Sequence, residues 1–280
     1  MEKLLIVDGN NLLFQMFYGM PARITAPNGK AIHGTLGFIG ALLKILRRVS
    51  PSHAVVLFDG EHANPRTELD ENYKANREDF SLLPEEETPF SQLPDIYAAL
   101  CHLGISYAET IDCETDDWIA AYTLAYREEM DVVISSFDSD FFQLIDDHVQ
   151  VLRYRGEQSV LCDTAYLQDK LSIQPWQYAD FKALTGDTAD NIRGAEKVGP
   201  KTAAALLNQF GTLENLLQNI PLVEKPSVRR SLTDSAARLE RNYQLIHLTG
   251  HDSLPFPLSA LTYTEHGATT SQVLTAIGLR

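Results

Sequence analysis

Three apolar runs in this chain end in an aspartate. Residues 4–7 run into Asp8, residues 54–58 into Asp59, and residues 132–137 into Asp138, with Asp140 two places further on. If those runs are neighbouring strands of one parallel sheet, four carboxylates converge at the edge where open α/β sheets bind ligands. Their mutual repulsion would be severe without cations. A hard divalent metal with oxygen ligands is the natural neutraliser. A single aspartate at a strand-to-helix turn is better explained as an N-cap, but several at successive strand ends push the balance the other way. Glu114, Asp116 and Asp117 add three acids where a helical pattern begins. Glu114 and Asp117 share a helix face, and the helix N-terminus stabilises them in part. Asp187 and Asp190 form a further pair. Two metal ions about 4 Å apart, held with open coordination positions, are the standard apparatus for in-line phosphodiester hydrolysis. The eight histidines fall near no nucleophile motif, so no Ser-His-Asp or Cys-His arrangement competes.

The elements that must position these acids follow from periodicity. Residues 4–7, 54–58 and 132–135 read as buried strands, with weaker candidates at 105–108 and 149–152. Helical patterns lie between them at 36–49, 90–103, 116–128 and 139–145. This alternation predicts an α/β domain with a mainly parallel central sheet flanked by helices. From residue 164 to 248 only helices are expected, at 164–171, 176–184, 202–210, 213–217 and 228–248. The expected division is an α/β domain at 1–160, a helical subdomain at 161–250 and an irregular tail at 251–280, with a late strand near 261–263. Residues 63–94 are charged and proline-containing, long for a loop in a compact domain, and such loops are often functional.

Composition sets the bounds. The chain is 44% hydrophobic over 280 residues, enough to bury a real core. No apolar run approaches the roughly 20 residues of a membrane span, and Asp8 interrupts the first run too early for a signal peptide. A soluble, intracellular protein is expected. Cys101, Cys113 and Cys162 are odd in number and far apart, so their spacing suggests neither a disulfide framework nor a zinc site. Net charge is −15, unpromising for a nucleic-acid partner, but it is uneven: residues 1–192 carry −17 and residues 193–241 carry +3. Within that basic stretch, Gly194 to Gly199-Pro200-Lys201-Thr202 looks at first like a phosphate-binding P-loop. Pro200 separates the glycine from the lysine, and no buried strand precedes it. A turn between helices fits better, with Pro200 in the first helical turn. The N–H groups of that turn, with Lys197 and Lys201, suit a phosphate.

Taken together, the order Asp8, Asp59, Tyr73-Lys74-Ala75-Asn76-Arg77, Glu114-Thr115-Asp116-Asp117, Asp138-Ser139-Asp140, Gln143-Leu144, Gly186-Asp187, Asp190-Asn191-Ile192 and Gly194 to Gly199, Lys201-Thr202-Ala203 resembles the bacterial 5′→3′ exonuclease family. This is the 5′ nuclease domain of DNA polymerase I, related to flap endonucleases. The resemblance covers about residues 1–250. It implies a PIN-like, resolvase-like sheet domain with a helical arch, and a C-terminal helix–three-turn–helix (a helix-hairpin-helix type element) that grips duplex DNA, with a potassium ion there. A first metal would use Asp8, Asp59, Glu114, Asp116 and Asp138, and a second Asp117, Asp140, Asp187 and Asp190. Lys74 matches an active-site lysine that positions the scissile phosphate, with Arg66, Tyr73 and Arg77 as basic and aromatic partners beside it. Tyr73 either stacks on an unpaired base or packs. Lys197, Gly199, Lys201 and Thr202 would contact DNA. Two departures stand out: Gln15 where the family usually has arginine, and an arch segment, residues 78–88, carrying Glu85, Glu86 and Glu87 in place of a basic surface.

The expectation is thus a stand-alone, monomeric 5′→3′ exonuclease and structure-specific flap endonuclease. It would use Mg²⁺ or Mn²⁺ on 5′ flaps, nicked or gapped duplexes or RNA primers, in the bacterial cytoplasm and at the nucleoid. The length leaves no room for a polymerase. One rival is a DNA-binding protein of the same fold with little catalysis. A second, a phosphohydrolase of small esters, wants an Asp two residues after its nucleophile, and Asp8 is followed by Gly9 and Asn10.

Overall fold

A computed structural model describes residues 2–60, 65–76, 80–84, 87–251 and 253–280. Six strands form one sheet: β1 (Lys3–Asp8), β2 (His53–Phe58), β3 (Ser106–Glu109), β4 (Asp131–Ser135), β5 (Val149–Arg153) and β6 (Val160–Cys162), in the order β3-β2-β1-β4-β5-β6. The first five run parallel and β6 is antiparallel to β5. β1 is central, Leu5 pairing with Ala54 on one side and Val133 on the other. Leu4, Leu5 and Ile6 are wholly buried, which is why this strand reads as an unbroken apolar run rather than an alternating one. Successive side chains still point to opposite faces. Leu4 and Ile6 join one core with Leu57 and Ile134; Leu5 and Val7 join another with Val56 and Phe58.

α1 (Gly9–Gly19), α2 (His33–Val49) and α3 (Leu93–His102) cover the second of these faces. α4 (Thr115–Tyr126) packs on the first through Trp118, Ile119 and Tyr122. The first core continues without a break into the C-terminal helices α5 (Thr164–Leu171), α6 (Tyr178–Thr185), α7 (Pro200–Phe210), α8 (Leu213–Gln218) and α9 (Pro226–Ile246). Buried Asn242 of α9 donates to the carbonyls of Ala183 and Arg193, at 3.1 and 3.0 Å. α10 (Thr270–Ala276) returns to pack on α2 and α3.

The structure departs from the periodicity in several places. The C-terminal region is not helical throughout: β7 (Gly186–Asp187) and β8 (Ile192–Arg193) form a small hairpin between α6 and α7. Residues expected as a helix at 139–145 form a 3-10 turn, Asp140–Leu144, whose cap returns at Ile145 to an extended backbone. The expected strand near 261–263 is one bridge, His53 to Thr262, with Tyr263 N–H donating to Ser52 at 2.8 Å. Within the expected arch segment, 78–88, the described residues hold a 3-10 turn at Phe80–Leu82, with further 3-10 turns on either side at Pro65–Glu68 and Pro89–Gln92. Glu85 and Glu86 lie outside the described residues.

The hairpin crosses α6 so closely that only glycine fits at 194. A Cβ there would meet backbone atoms of Leu184, Thr185 and Gly186 at 2.4–2.5 Å. Gly194→Ala should cost about 1–3 kcal/mol, the scale of overpacking. Gly199→Ala, where nothing lies within 4 Å, should change stability by under about 0.5 kcal/mol. Urea unfolding of the two variants checks the contrast; equal losses would contradict it.

Candidate metal centre

Parallel strands place the acids by construction, because β1, β2 and β4 all end at one edge. Asp8 is also the N-cap of α1: Oδ1 accepts from Asn11 N–H at 3.0 Å and Oδ2 from the Ser136 hydroxyl at 2.7 Å. Asp59, just past β2, accepts from both Thr115 N–H (2.9 Å) and its hydroxyl (2.8 Å), so the start of α4 is tied to the end of β2. Glu114 caps α4 in a reciprocal box with Asp117. Asp138 lies in the turn after β4 and accepts from Asp140 N–H at 2.8 Å. Capping and metal binding are therefore not alternatives here. The caps fix the carboxylates where they face one another.

Asp8, Asp59, Glu114, Asp116 and Asp138 line one cavity of about 410 Å³, with Lys74 on its wall and Phe14, Phe80 and Phe90 beside it. The three rings make edge contacts with one another at 5.5–5.6 Å. A second group adjoins: carboxylate oxygens of Asp140, Asp187 and Asp190 all lie within 4.8 Å of one another. The hairpin and α6 bring the last two to the sheet edge. Asp138 acts electrostatically on members of both groups, raising Asp8 and Asp116 in one and Asp140 in the other.

Burial and crowding set the proton affinities. Asp8 is pushed up to about 7, first by burial, with Asp59 and Asp138 adding to it against its two hydrogen bonds. Asp116 is held well above the ordinary range by burial and by Asp138, Glu114 and Asp8, with Lys74 opposing. Asp140 is pushed up to about 7 by burial and by Asp138 and Asp190, with Lys182 opposing. Asp187 is half-buried, but its bond to Lys182 outweighs that and holds it low.

Three cations already answer these charges. Arg66 pairs with Glu114 and, at 2.6 and 3.1 Å, with Asp117; Lys74 pairs with Glu114; Lys182 bridges Asp140 and Asp187. The donor set fits divalent cations: every converging group is a carboxylate oxygen, and three are costly to ionise without added positive charge.

Placement of the remaining expected residues is mixed. Asp117 is not gathered with Asp140, Asp187 and Asp190; its place in the box and its bond to Arg66 turn it away. Tyr73 is 6% exposed, with its hydroxyl 3.3 Å from Glu114, so it packs and has no free face for a base. Gln15 donates to the Tyr154 carbonyl at 2.8 Å, tying α1 to the end of β5. Arg77 lies outside the described residues. Lys197, Gly199 and Lys201 are exposed at the start of α7, with Thr202 partly so. The periodicity missed Lys182, Ser136, Thr115 and Asn11. Lys182 alone left a signal, a lysine inside an otherwise mainly apolar helix, five residues before Asp187.

Residues 3–172 match the family described as 5′-3′ exonuclease, N-terminal resolvase-like domain, and residues 173–269 that described as 5′-3′ exonuclease, C-terminal SAM fold. The chain is 34% identical over 239 residues to DNA polymerase I of Lactococcus lactis, and 35% over 253 residues to the thermostable DNA polymerase I of Thermus filiformis. These matches cover 82% and 89% of this chain but 27% and 28% of the relatives, so the chain spans little more than a quarter of their length. Its fold is similar to the T5 D15 protein co-crystallised with metal ions, with a TM-score of 0.73 and 23% identity, over 99% of this chain and 100% of that one. Among the described residues no helix is long and apolar enough to cross a membrane.

Raised carboxyls give a pH signature. Between about pH 4 and 7 the folded, metal-free chain keeps a proton on Asp8 that the unfolded chain has released, so folding loses stability as the pH climbs through that window. Asp8→Asn removes the loss. In chelator, its advantage in melting temperature over wild type should grow from about pH 4 to about pH 7 and then level off. An advantage independent of pH would contradict this.

Proposed function

Because the chain belongs to the 5′-3′ exonuclease family of nucleases, we propose that it cleaves phosphodiester bonds of DNA at 5′ ends and 5′ flaps with two divalent cations. The observation that carries this is the meeting of two carboxylate groups through Asp138 at one sheet edge. Asp8, Asp59, Glu114, Asp116 and Asp138 would hold one ion, and Asp140, Asp187 and Asp190 the other. Asp117 instead keeps Arg66 in place. When bound, the ions supply an activated water and stabilise the leaving oxygen; Mg²⁺ or Mn²⁺ suits the all-oxygen donors.

The chain's own residues have distinct parts. Lys74, on the cavity wall, orients the scissile phosphate. Lys182 holds Asp140 and Asp187 together against their repulsion. Arg66 fixes Glu114 and Asp117 relative to one another. Duplex DNA binds at the turn carrying Lys197, Gly199, Lys201 and Thr202, where the two lysines, the start of α7 and a potassium ion meet the backbone phosphates. We divide the labour among an α/β nuclease part at 1–160, a helical DNA-binding part at 161–250 and the tail at 251–280. Substrates of this kind, including nicked and gapped duplexes and RNA primers, belong to replication and repair by a monomer in the bacterial cytoplasm.

A 5′-labelled flap duplex with Mg²⁺ or Mn²⁺ tests the reading. Wild type should cut it, and Asp138→Ala should be slower by on the order of 10²-fold or more, the scale on which loss of one charge-stabilising group is felt. Flap binding that survives in chelator, with no cutting in either metal, would favour a DNA-binding protein instead. The double variant Lys197→Ala/Lys201→Ala should weaken duplex binding and flatten its salt dependence by about two phosphate contacts, with single-turnover chemistry little changed. An unaltered Kd at low salt would contradict that assignment.

A further inference from the structure

A second kind of ligand cluster lies outside the carboxylate centre. An oxygen of Asp112, the sulfur of Cys113 and a ring nitrogen of His251 all lie within 4.8 Å of one another. The first two sit in the loop between β3 and α4, immediately before Glu114. His251 comes from the segment that follows α9, which is anchored by Leu248 N–H donating to Gln143 at 2.9 Å. His251 Nε2 stands 3.5 Å from Asp112 Oδ1. That is the long limit of a direct hydrogen bond, but it is the separation of two donors sharing one tetrahedral zinc at ordinary bond lengths, roughly 3.3–3.6 Å. The Cys113 sulfur is buried beside them. The other ring nitrogen, Nδ1, is 3.1 Å from the Ser253 carbonyl. Ser253 N–H also reaches Nδ1, at 3.2 Å, so Ser253 holds the ring with Nε2 turned toward Asp112, and an ion at Nε2 would select the tautomer in which Nδ1–H donates to the carbonyl.

We propose that Asp112, Cys113 and His251 bind a zinc ion, with a fourth position open to solvent. Thiolate and imidazole favour Zn²⁺ over Mg²⁺, so this site and the all-oxygen centre select different ions. Cys101 is exposed and Cys162 lies elsewhere in the core. The ion would clasp the loop leading into Glu114 to the end of the helical region, two segments far apart in sequence. Spacing therefore gave no sign of it.

Cobalt is the probe, added to chelator-stripped protein in the presence of excess Mg²⁺ so that the carboxylate centre is filled. Wild type, Cys101→Ser and Asp138→Ala should each develop a thiolate-to-cobalt charge-transfer band that Zn²⁺ abolishes. Cys113→Ser should show none. His251→Ala, a change on a surface segment that cannot be blamed on misfolding of the core, should weaken cobalt binding by more than the roughly 10- to 100-fold that loss of an orienting group alone produces. Zn²⁺ should raise the melting temperature of wild type and leave His251→Ala unmoved. A wild type without the band, or a band of unchanged affinity in His251→Ala, overturns the site.

Discussion

Negative charge gathered at the carboxyl edge of a parallel sheet is the constraint that the rest of this molecule answers. Parallel pairing leaves the chain no choice about where Asp8, Asp59 and Asp138 end up. Once they share an edge, each raises the cost of ionising its neighbours, as Asp8 and Asp116 record. Buried charges of one sign persist only with partners. The partners come from two directions: Lys74 and Arg66 from the segment after β2, and Lys182 from α6. Docking of the helical region on the sheet is thus electrostatic as well as apolar. It brings a cation to Asp140 and adds Asp187 and Asp190, so that the second acidic group exists only in the assembled fold.

The same constraint shapes the segment that carries Lys74. Lys74 adopts a left-handed backbone, φ 57°, and its N–H donates to the Asp190 carbonyl at 3.0 Å. Asn76 donates to Thr188 and Asn191 to Asn72, each at 2.9 Å. The loop bearing the cavity lysine is thereby laced to the loop bearing an acid of the second group. A shift of the main chain at Lys74 would be shared with Asp190, so the two acidic groups are linked through main chain as well as through side chains.

How much of this was legible depended on what decides each element. The strands were plain, because burial on both faces makes an apolar run that few other structures need. The converging acids followed from strand direction alone. α1 is hidden in the sequence: its start, Gly9-Asn10-Asn11, reads as a turn, and the cap that lets the helix begin there, Asp8, is a residue whose type suits a metal ligand as well. The turn at Asp140–Leu144 read as a helix because apolar spacing over so few residues fits both periods. β6 and the β7–β8 hairpin are too short for any period to emerge. Lys182, Thr115 and Ser136 matter through partners distant in sequence, which no local pattern encodes. The orientation of Asp117 belongs to the same class, since capping and Arg66 settle it together.

One feature of the tail bears on mechanics. The chain leaves the sheet after β6, builds the helical region, and then comes back: Thr262 bridges to His53 beside β2, and α10 lies on α2 and α3. The helical region is therefore an insertion tethered at two points, not a pendant on one linker. A pendant swivels, whereas a doubly moored body can only rock. The turn carrying Lys197 and Lys201 thus belongs to a body held to the sheet at both of its ends, and its swing relative to the sheet edge is restrained from two sides.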